Sequence, residues 1–277
     1  MFNLANFYLK ACIIKFLNIF IKKKKLSIGA GIRNWIGWVM YDRLNYPLIN
    51  NINFTPTTRL PKNQFDCIFI SHFFEHLDDQ TFFNLFKEIK KISHRGTKIL
   101  IKIPNYEFFY KSFFKKNNYR FMKITNSNFL PYTHMWKRYK IEDNVYNRVS
   151  MMFCDYSNKY FKNHYEKNFE NKFNKLSYHG PARINETKLK YIFKEKNFKK
   201  IQKKLKKEII KDKNFYRFNH TNIWNFKDFV QIIKKNGFSL ITCKEKKIHE
   251  VFKDYIAANE ISFLSSWSNY FYIRLKN

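Results

Sequence analysis

The sequence predicts an α/β protein built around a doubly wound, mostly parallel β-sheet. Apolar runs of strand length alternate with stretches of helical periodicity over residues 25–105. Three of the six glycines fall between positions 29 and 37, directly after the first apolar run. A helix followed by a strand is again predicted at 225–243, after a long segment of different composition. Such alternation is typical of right-handed parallel sheets with helices on both faces.

The first strand is predicted at Leu26–Ile28 and leads into a glycine turn. Gly29 and Gly31 can adopt backbone conformations that other residues rarely adopt, or allow a ligand to approach closely. A second apolar run ends in a single acid, Asp42. This layout is typical of nucleoside sites, where the turn admits the ligand and the carboxylate accepts the ribose hydroxyls. Asn34 stands where a dinucleotide fingerprint has its third glycine, which argues against NAD or FAD.

Three further strands and a helix complete the first half of the predicted sheet. The short apolar piece Ile52–Phe54 is a candidate third strand. The central strand is predicted at Phe65–His72, whose residues are mostly β-branched or aromatic. Asp78 can cap a helix that runs to about Ile92. A fifth strand is predicted at Lys98–Ile103, and all of these strands are expected to be parallel.

Residues 106–220 are expected to form a helical insertion before the final β–α–β unit. They are rich in Phe, Tyr, Asn and Lys, and Thr187–Ile210 is predicted to be helical. The alternation resumes with an amphipathic helix at Asn225–Asn236. Strands are then predicted at Phe238–Cys243 and Tyr270–Leu275, and the last of them is expected to pair antiparallel with its neighbour.

Residues 1–24 precede the domain, which is predicted to span residues 25–277. A signal peptide carries its positive charge before the apolar stretch, whereas the four lysines at 22–25 follow it. Lys10 and Lys15 interrupt the uncharged run that a membrane-spanning helix needs. The pattern predicts an amphipathic helix that either lies on a membrane surface or covers the sheet.

The charge balance is strongly basic, with 53 Lys and Arg against 21 Asp and Glu and a formal net charge of +32. Such a field attracts phosphates, nucleic acid or an anionic membrane. Lys is enriched together with Asn, Ile, Phe and Tyr and is spread along the chain, as AT-rich codons produce. We therefore favour compositional bias over a dedicated polyanion site. The four cysteines form no CxxC pair, which indicates neither a disulfide framework nor a zinc site.

The glycine turn and the central strand together resemble class I S-adenosylmethionine-dependent methyltransferases. The pattern IGAG…GW…D at 28–42 is similar to motif I of the methyltransferase type 11-like sub-group, which acts on small molecules and surface glycans. FDCIFISHFFEHL at 65–77 resembles the segment after motif I, and NFKDFVQIIKKNGFSLI at 225–241 resembles the closing segment. The resemblance implies a seven-stranded Rossmann-like sheet and S-adenosyl-L-methionine as cofactor.

The cofactor site implied by this resemblance lies at the carboxyl ends of the first, second and fourth strands. Many relatives carry Asp or Glu two residues before the first glycine, and Ser27 holds that place here. The Asp42 carboxylate would accept both ribose hydroxyls. The predicted cofactor-binding residues are Ser27, Gly29, Ala30, Gly31, Asp42, Thr55, Ser71, His72 and Glu75.

Methyl transfer requires an acceptor aligned with the sulfonium and shielded from water, and a protonated acceptor also requires a base. His134, His179 and His220 are the candidate bases. His220 is favoured because relatives often carry a histidine just before the corresponding helix. Residues 72–76 also fit H-x-x-E-H, an inverted zinc-protease motif. That motif needs a helix, whereas His72 ends a β pattern, so we expect no metal.

The sequence thus predicts methyl transfer to a small-molecule or glycan-precursor acceptor bound under the 106–220 insertion. The alternative is a non-catalytic Rossmann-like protein that binds RNA, another polyanion or an anionic membrane surface, as Ser27 and the charge suggest. A nucleic-acid substrate is not favoured, because no N-P-P-Y-type tetrapeptide follows the fourth strand. We expect a cytoplasmic protein, with peripheral membrane contact left open.

Overall fold

The computed structural model describes residues 9, 12–14, 16–17, 24–31, 35–42, 49–62, 64–114, 119–125, 142–154, 186–209, 220–262 and 267–276. Within them, seven strands form one sheet in the order β3-β2-β1-β4-β5-β7-β6. The strands are β1 (Lys25–Ile28), β2 (Trp38–Asp42), β3 (Ile49–Asn51), β4 (Phe65–Ser71), β5 (Ser93–Pro104), β6 (Phe238–Thr242) and β7 (Ser268–Leu275). Strands β1 to β5 pair in parallel, and β7 is antiparallel to both β5 and β6. The predicted fold class is confirmed.

The predicted position of the third strand was wrong by three residues. The structure places β3 before Ile52–Phe54, and Ile49 is its buried apolar residue. Pairing with β2 ends where Asn51 stands opposite Asp42, after which the Ile52 N–H donates a hydrogen bond to the Asp42 carbonyl at 2.8 Å. The apolar run that suggested a strand therefore lies just beyond the carboxyl end of β3.

Helices flank the sheet and also form most of the described part of the insertion. They are α1 (Asp79–Lys91), α2 (Tyr106–Phe113), α3 (Val145–Cys154), α4 (Glu186–Phe193), α5 (Phe198–Ile209), α6 (Phe226–Lys235), α7 (Glu245–Phe252) and α8 (Ala258–Ser262). Asp78 caps α1 as the sequence predicts, because its Oδ1 accepts from the Thr81 N–H at 2.9 Å. Asn105 and Asn225 cap α2 and α6 in the same way.

Both faces of the sheet are covered. On one face α1 and α6 pack on the strands, with Phe82 and Phe229 among the fully buried side chains. On the other face α7 and α8 contribute Phe252 and Ile261 to a second apolar cluster. Cys67 lies in that second cluster, and burial raises the pKa of its thiol to about 12. It is therefore a small buried apolar side chain rather than a reactive one.

The described helices of the insertion have an apolar cluster of their own, built from α2, α3, α4 and α5. The stretch predicted as helical at Thr187–Ile210 forms two helices, α4 and α5, instead of one. The break falls before Asn197, whose side-chain oxygen accepts from the Lys199 N–H at 2.9 Å and so starts α5. The ends of the predicted insertion, and of the domain as a whole, remain predictions.

The described residues near the N-terminus are helical, as predicted. Ile14 is buried, whereas Leu9, Ile13 and Phe16 are more than half exposed. Ile13 and Ile14 also line a cavity of about 440 Å³ at the amino ends of β1 and β2, together with Leu17, Lys25, Trp35, Ile36, Trp38, Tyr255 and Ala257. No described helix combines the length and the hydropathy that crossing a membrane requires.

Candidate functional site

The carboxyl ends of β1, β2 and β4 meet at one point of the sheet edge. Ile28 of β1 is paired with Tyr41 on one side and with Ile70 on the other. The next residue on each strand therefore stands at this edge: Gly29, Asp42 and Ser71. Strands β1 and β4 are neighbours, and from them the chain builds outwards in opposite directions. Ligands of open α/β sheets bind at such a switch point.

The glycine turn folds back onto the end of β2. Gly29 and Gly31 have φ angles of +68° and +60°, the left-handed conformation that favours glycine. The N–H groups of Gly29 and Ala30 both donate to the Tyr41 carbonyl, at 2.9 and 3.2 Å. The Gly31 N–H donates to Asp42 Oδ2 at 2.9 Å. The structure thus brings together the glycines and the acid that the sequence singled out.

Phe73 occupies the place that a side chain at Gly29 would need. A Cβ atom at Gly29 would lie 2.5 Å from the Phe73 ring, closer than real Cβ contacts allow. Phe73 also packs edge-on against Phe54, with 4.9 Å between ring centroids. The sequence predicts a special φ angle or a closely approaching ligand at this glycine. The structure shows the positive φ angle together with an aromatic neighbour that requires the missing side chain.

Two buried serine hydroxyls flank the switch point on neighbouring strands. Ser27 is 1% exposed and Ser71 is 5% exposed. Neither Oγ atom has a hydrogen-bond partner within the part of the chain that the structure describes. Because an unsatisfied buried hydroxyl costs free energy, this pair indicates a place where a polar ligand fits.

Of the remaining predicted cofactor residues, Thr55 is engaged in a local turn, and His72 contacts the start of β7. The Thr55 hydroxyl lies 3.1 and 3.2 Å from the hydroxyls of Thr57 and Thr58 in a turn after β3. His72 has a φ of +50°, which is uncommon for a residue with a side chain. Its Nε2 lies 2.8 Å from Ser268 Oγ. Ala30 is completely buried within the glycine turn.

A second group of side chains gathers just after β4, where Phe74–His76 forms one 3-10 turn. Glu75 and His76 of this turn lie beside His220, and the ligand-type atoms of the three residues are all within 4.8 Å of one another. Glu75 is completely buried, and its Oε1 is 3.4 Å from His72 Nδ1. The His76 and His220 rings pack edge-on, with 4.7 Å between centroids. We call Glu75, His76 and His220 the histidine cluster.

His220 reaches the turn because the residues that follow it are tied to the turn by hydrogen bonds. The Asn222 N–H donates to the Glu75 carbonyl at 3.0 Å. The Thr221 hydroxyl and the Asn222 side-chain amide each donate to the Leu77 carbonyl at 2.6 Å. These contacts join segments that are distant in sequence, so no local pattern could reveal them.

Tyr106, at the start of α2, also contacts this region. Its hydroxyl lies 3.3 Å from His220 Nδ1 and donates to the Asn222 carbonyl at 3.2 Å. The same Nδ1 lies 2.5 Å from the Met152 carbonyl oxygen. Sequence reasoning missed Tyr106, although its position directly after the carboxyl end of β5 was a usable signal.

Among the three candidate bases, the structure describes His220 and places it in the histidine cluster. His134 and His179 lie outside the described residues. The H-x-x-E-H run does not form the helix that the inverted zinc-protease motif needs, because His72 precedes the single turn that holds Glu75 and His76.

No family model matches the sequence, and no curated protein matches it. Solved structures similar to this chain include two of PKMT2 from Rickettsia typhi. One, in complex with AdoHcy, is 11% identical with a TM-score of 0.38 and covers 97% of this chain and 53% of that chain. The other is 9% identical with a TM-score of 0.36, and it covers 97% of this chain and 52% of that chain. The chain spans about half the length of these proteins, and its fold is defined by its own strand order and directions.

Proposed function

We propose that the protein transfers a methyl group from S-adenosyl-L-methionine to a small-molecule or glycan-precursor acceptor. One observation carries the proposal: the glycine turn after β1 and the Asp42 carboxylate at the end of β2 meet at the switch point of the sheet. A carboxylate in this place can accept hydrogen bonds from the two ribose hydroxyls of a nucleoside. The turn lacks the third glycine of the fingerprint that binds the pyrophosphate of a dinucleotide.

The residues at the edge fit the rest of such a cofactor. The Ser27 and Ser71 hydroxyls are buried and lack partners among the described residues, so they can hydrogen-bond the polar amino-acid end. Phe73 covers Gly29, so a ligand that reaches this glycine must contact or displace the ring. When bound, the cofactor supplies a methyl group on a positively charged sulfur. Orientation of the acceptor and exclusion of water are then the tasks of the protein.

The histidine cluster is proposed to contact the acceptor. It lies at the end of β4, beside the switch point. The Met152 carbonyl beside His220 Nδ1 favours the tautomer with the proton on Nδ1, which puts the lone pair on Nε2. That nitrogen can accept a proton from a hydroxyl or ammonium acceptor. The acceptor itself is proposed to lie between this edge and the insertion.

The proposal is tested by calorimetric titration of the full chain with S-adenosylmethionine and S-adenosylhomocysteine. We expect binding in the micromolar range. Asp42→Asn should weaken binding roughly 10-fold to 100-fold, the cost of one or two hydrogen bonds to a charged group. Asp66→Asn is the matched control, because this carboxylate lies near the amino end of β4 and pairs with Lys24 and His94. Absence of binding, or equal affinity of both variants, would contradict the proposal.

The second candidate is a non-catalytic protein of this fold that binds an anionic membrane surface. The exposure of Leu9, Ile13 and Phe16 on the N-terminal helical residues favours it, together with the net charge of +32. Flotation with vesicles containing anionic lipid separates the two candidates. Vesicle binding without any cofactor binding would support the second candidate, whereas cofactor binding alone would support methyl transfer.

A further inference from the structure

We propose that the histidine cluster is a binding site for one divalent cation of the zinc class. The three side chains offer two imidazole nitrogens and one carboxylate oxygen within 4.8 Å of one another. Two histidines with one carboxylate form a donor set typical of catalytic zinc sites, which leave a further position for water or substrate. This proposal departs from the metal-free site expected from the sequence.

The surroundings of His220 are those of a metal ligand. Its Nδ1 lies 2.5 Å from the Met152 carbonyl oxygen and 3.3 Å from the Tyr106 hydroxyl. Histidines that bind a metal usually donate their second ring N–H to a carbonyl or carboxylate, which fixes the ring and the tautomer. Here the carbonyl fixes the proton on Nδ1, so the lone pair of the ring is on Nε2, the atom that we assign as the ligand.

Glu75 provides the negative charge of the site. Its side chain is completely buried, and an ionised carboxylate away from water needs a positively charged or hydrogen-bonding neighbour. His72 Nδ1 lies 3.4 Å from Glu75 Oε1, and His72 Nε2 is itself held by Ser268 Oγ at 2.8 Å. His72 therefore orients the carboxylate, and we assign the ligand roles to His76 and His220 instead.

The site is rigid on one side and open on the other. Hydrogen bonds from Thr221 and Asn222 to the carbonyls of Glu75 and Leu77 hold the two segments in place. His76 is only partly buried, so solvent can reach the cluster at this residue. A cation held here keeps a position for an exogenous oxygen or nitrogen ligand.

The chemical role of the cation rests on the proposed function, whereas its binding does not. Beside a methyl donor, the cation would replace the His220 Nε2 base. It would bind an oxygen of the acceptor, lower the pKa of that group so that its proton leaves to solvent, and direct the oxygen lone pair toward the methyl carbon. An acceptor with a hydroxyl that can lose its proton is the substrate class that such a site favours.

Cobalt(II) is the probe, because a site with two histidines and one carboxylate gives it visible absorption bands. The full chain is stripped with chelator and titrated with Co²⁺, followed by displacement with Zn²⁺. We expect saturation at one equivalent and loss of the bands when Zn²⁺ is added. His76→Gln should weaken Co²⁺ binding by roughly 10-fold or more, since even supporting residues of metal sites have effects of this size. Glu75→Gln should weaken Co²⁺ binding to a similar degree.

His249→Gln is the matched control, because His249 lies 3.6 Å from Glu245 and 3.2 Å from the Ser262 hydroxyl, away from the histidine cluster. It should leave the titration unchanged. Because His76 is partly exposed, its variant is expected to fold, and circular dichroism verifies this. No saturable band, or equal Co²⁺ binding by wild type and His76→Gln, would overturn the proposal. S-adenosylhomocysteine titration is run in parallel, so that a failed cofactor site and a failed metal site are told apart.

Discussion

The glycine-turn site and the histidine cluster stand side by side on the sheet edge, but they are built in different ways. The first comes from one short stretch, in which the Gly29 N–H donates to the Tyr41 carbonyl and the Gly31 N–H donates to the Asp42 carboxylate. The second joins the turn after β4 to His220, which follows the insertion. A locally encoded site can therefore be found from the sequence, whereas a site assembled by tertiary contacts requires the fold.

Gly29→Ala should produce the largest effect and should affect the first site. A side chain at φ +68° is strained, and the new Cβ would lie 2.5 Å from the Phe73 ring. Left-handed strain and overpacking together should lower the free energy of unfolding by about 3 kcal/mol. Urea denaturation measures this loss, and S-adenosylhomocysteine binding should fall with it.

Two further variants separate the two causes of that loss. Gly237→Ala has the same kind of strain, at φ +84°, but its Cβ would meet only the flexible end of Lys90. Its cost should be about 1 kcal/mol, from backbone strain alone. The double variant Gly29→Ala with Phe73→Ala should recover the part of the lost unfolding free energy that is caused by contact with the ring. Equal losses in Gly29→Ala and Gly237→Ala would show that Phe73 does not press on the turn.

Asn222→Ala should loosen the second site and leave the first intact. The Asn222 amide donates to the Leu77 carbonyl at 2.6 Å, and its oxygen accepts from Gln202 at 2.7 Å. Loss of these buried hydrogen bonds should cost about 2 kcal/mol in unfolding free energy. Co²⁺ affinity should fall, whereas cofactor affinity should not change.

The control for this variant is Asn84→Ala, which removes a similar bond to the Thr58 carbonyl at 2.8 Å. It should lower stability without changing Co²⁺ affinity. If both asparagine variants weaken Co²⁺ binding equally, the effect is one of general stability, and the two sites are not independent.

The smallest expected effect lies outside both sites, at Glu88. Burial alone would raise the pKa of this carboxyl, but hydrogen bonds from Lys91 and the Leu60 N–H, with the charges of Lys91 and Arg59, lower it overall. A lowered pKa in the folded state stabilises the protein above the unfolded pKa, and this contribution is lost as the pH falls through the folded value. Glu88→Gln should therefore cost roughly 1 kcal/mol at neutral pH.

The measurement is the unfolding free energy of both proteins across the acidic range. The difference between wild type and Glu88→Gln should shrink as the pH falls from the unfolded pKa of Glu88 through its lowered folded value. A difference that stays constant with pH would contradict the assigned cause. Neither cofactor nor Co²⁺ affinity should respond to this variant, which makes it a reference for both sites.

The sequence predicts the parts of the fold that depend on local pattern. The glycine turn, the capped helix α1 and the strands β2, β4 and β6 are close to their predicted positions. The third strand was misplaced because apolar residues beyond a strand end resemble the strand itself. The role of Phe73 at Gly29 and the meeting of His220 with Glu75 could not be predicted, because both depend on how distant segments pack.

The most direct test of the proposed cofactor site is a crystal structure of the full chain with S-adenosylhomocysteine. Both ribose hydroxyls are expected to lie within hydrogen-bond distance, about 2.7 to 3.2 Å, of the Asp42 carboxylate. The sulfur is expected to face the histidine cluster. Ligand density in the cavity beside Trp35, with the edge near Gly29 still covered by Phe73, would contradict this proposal.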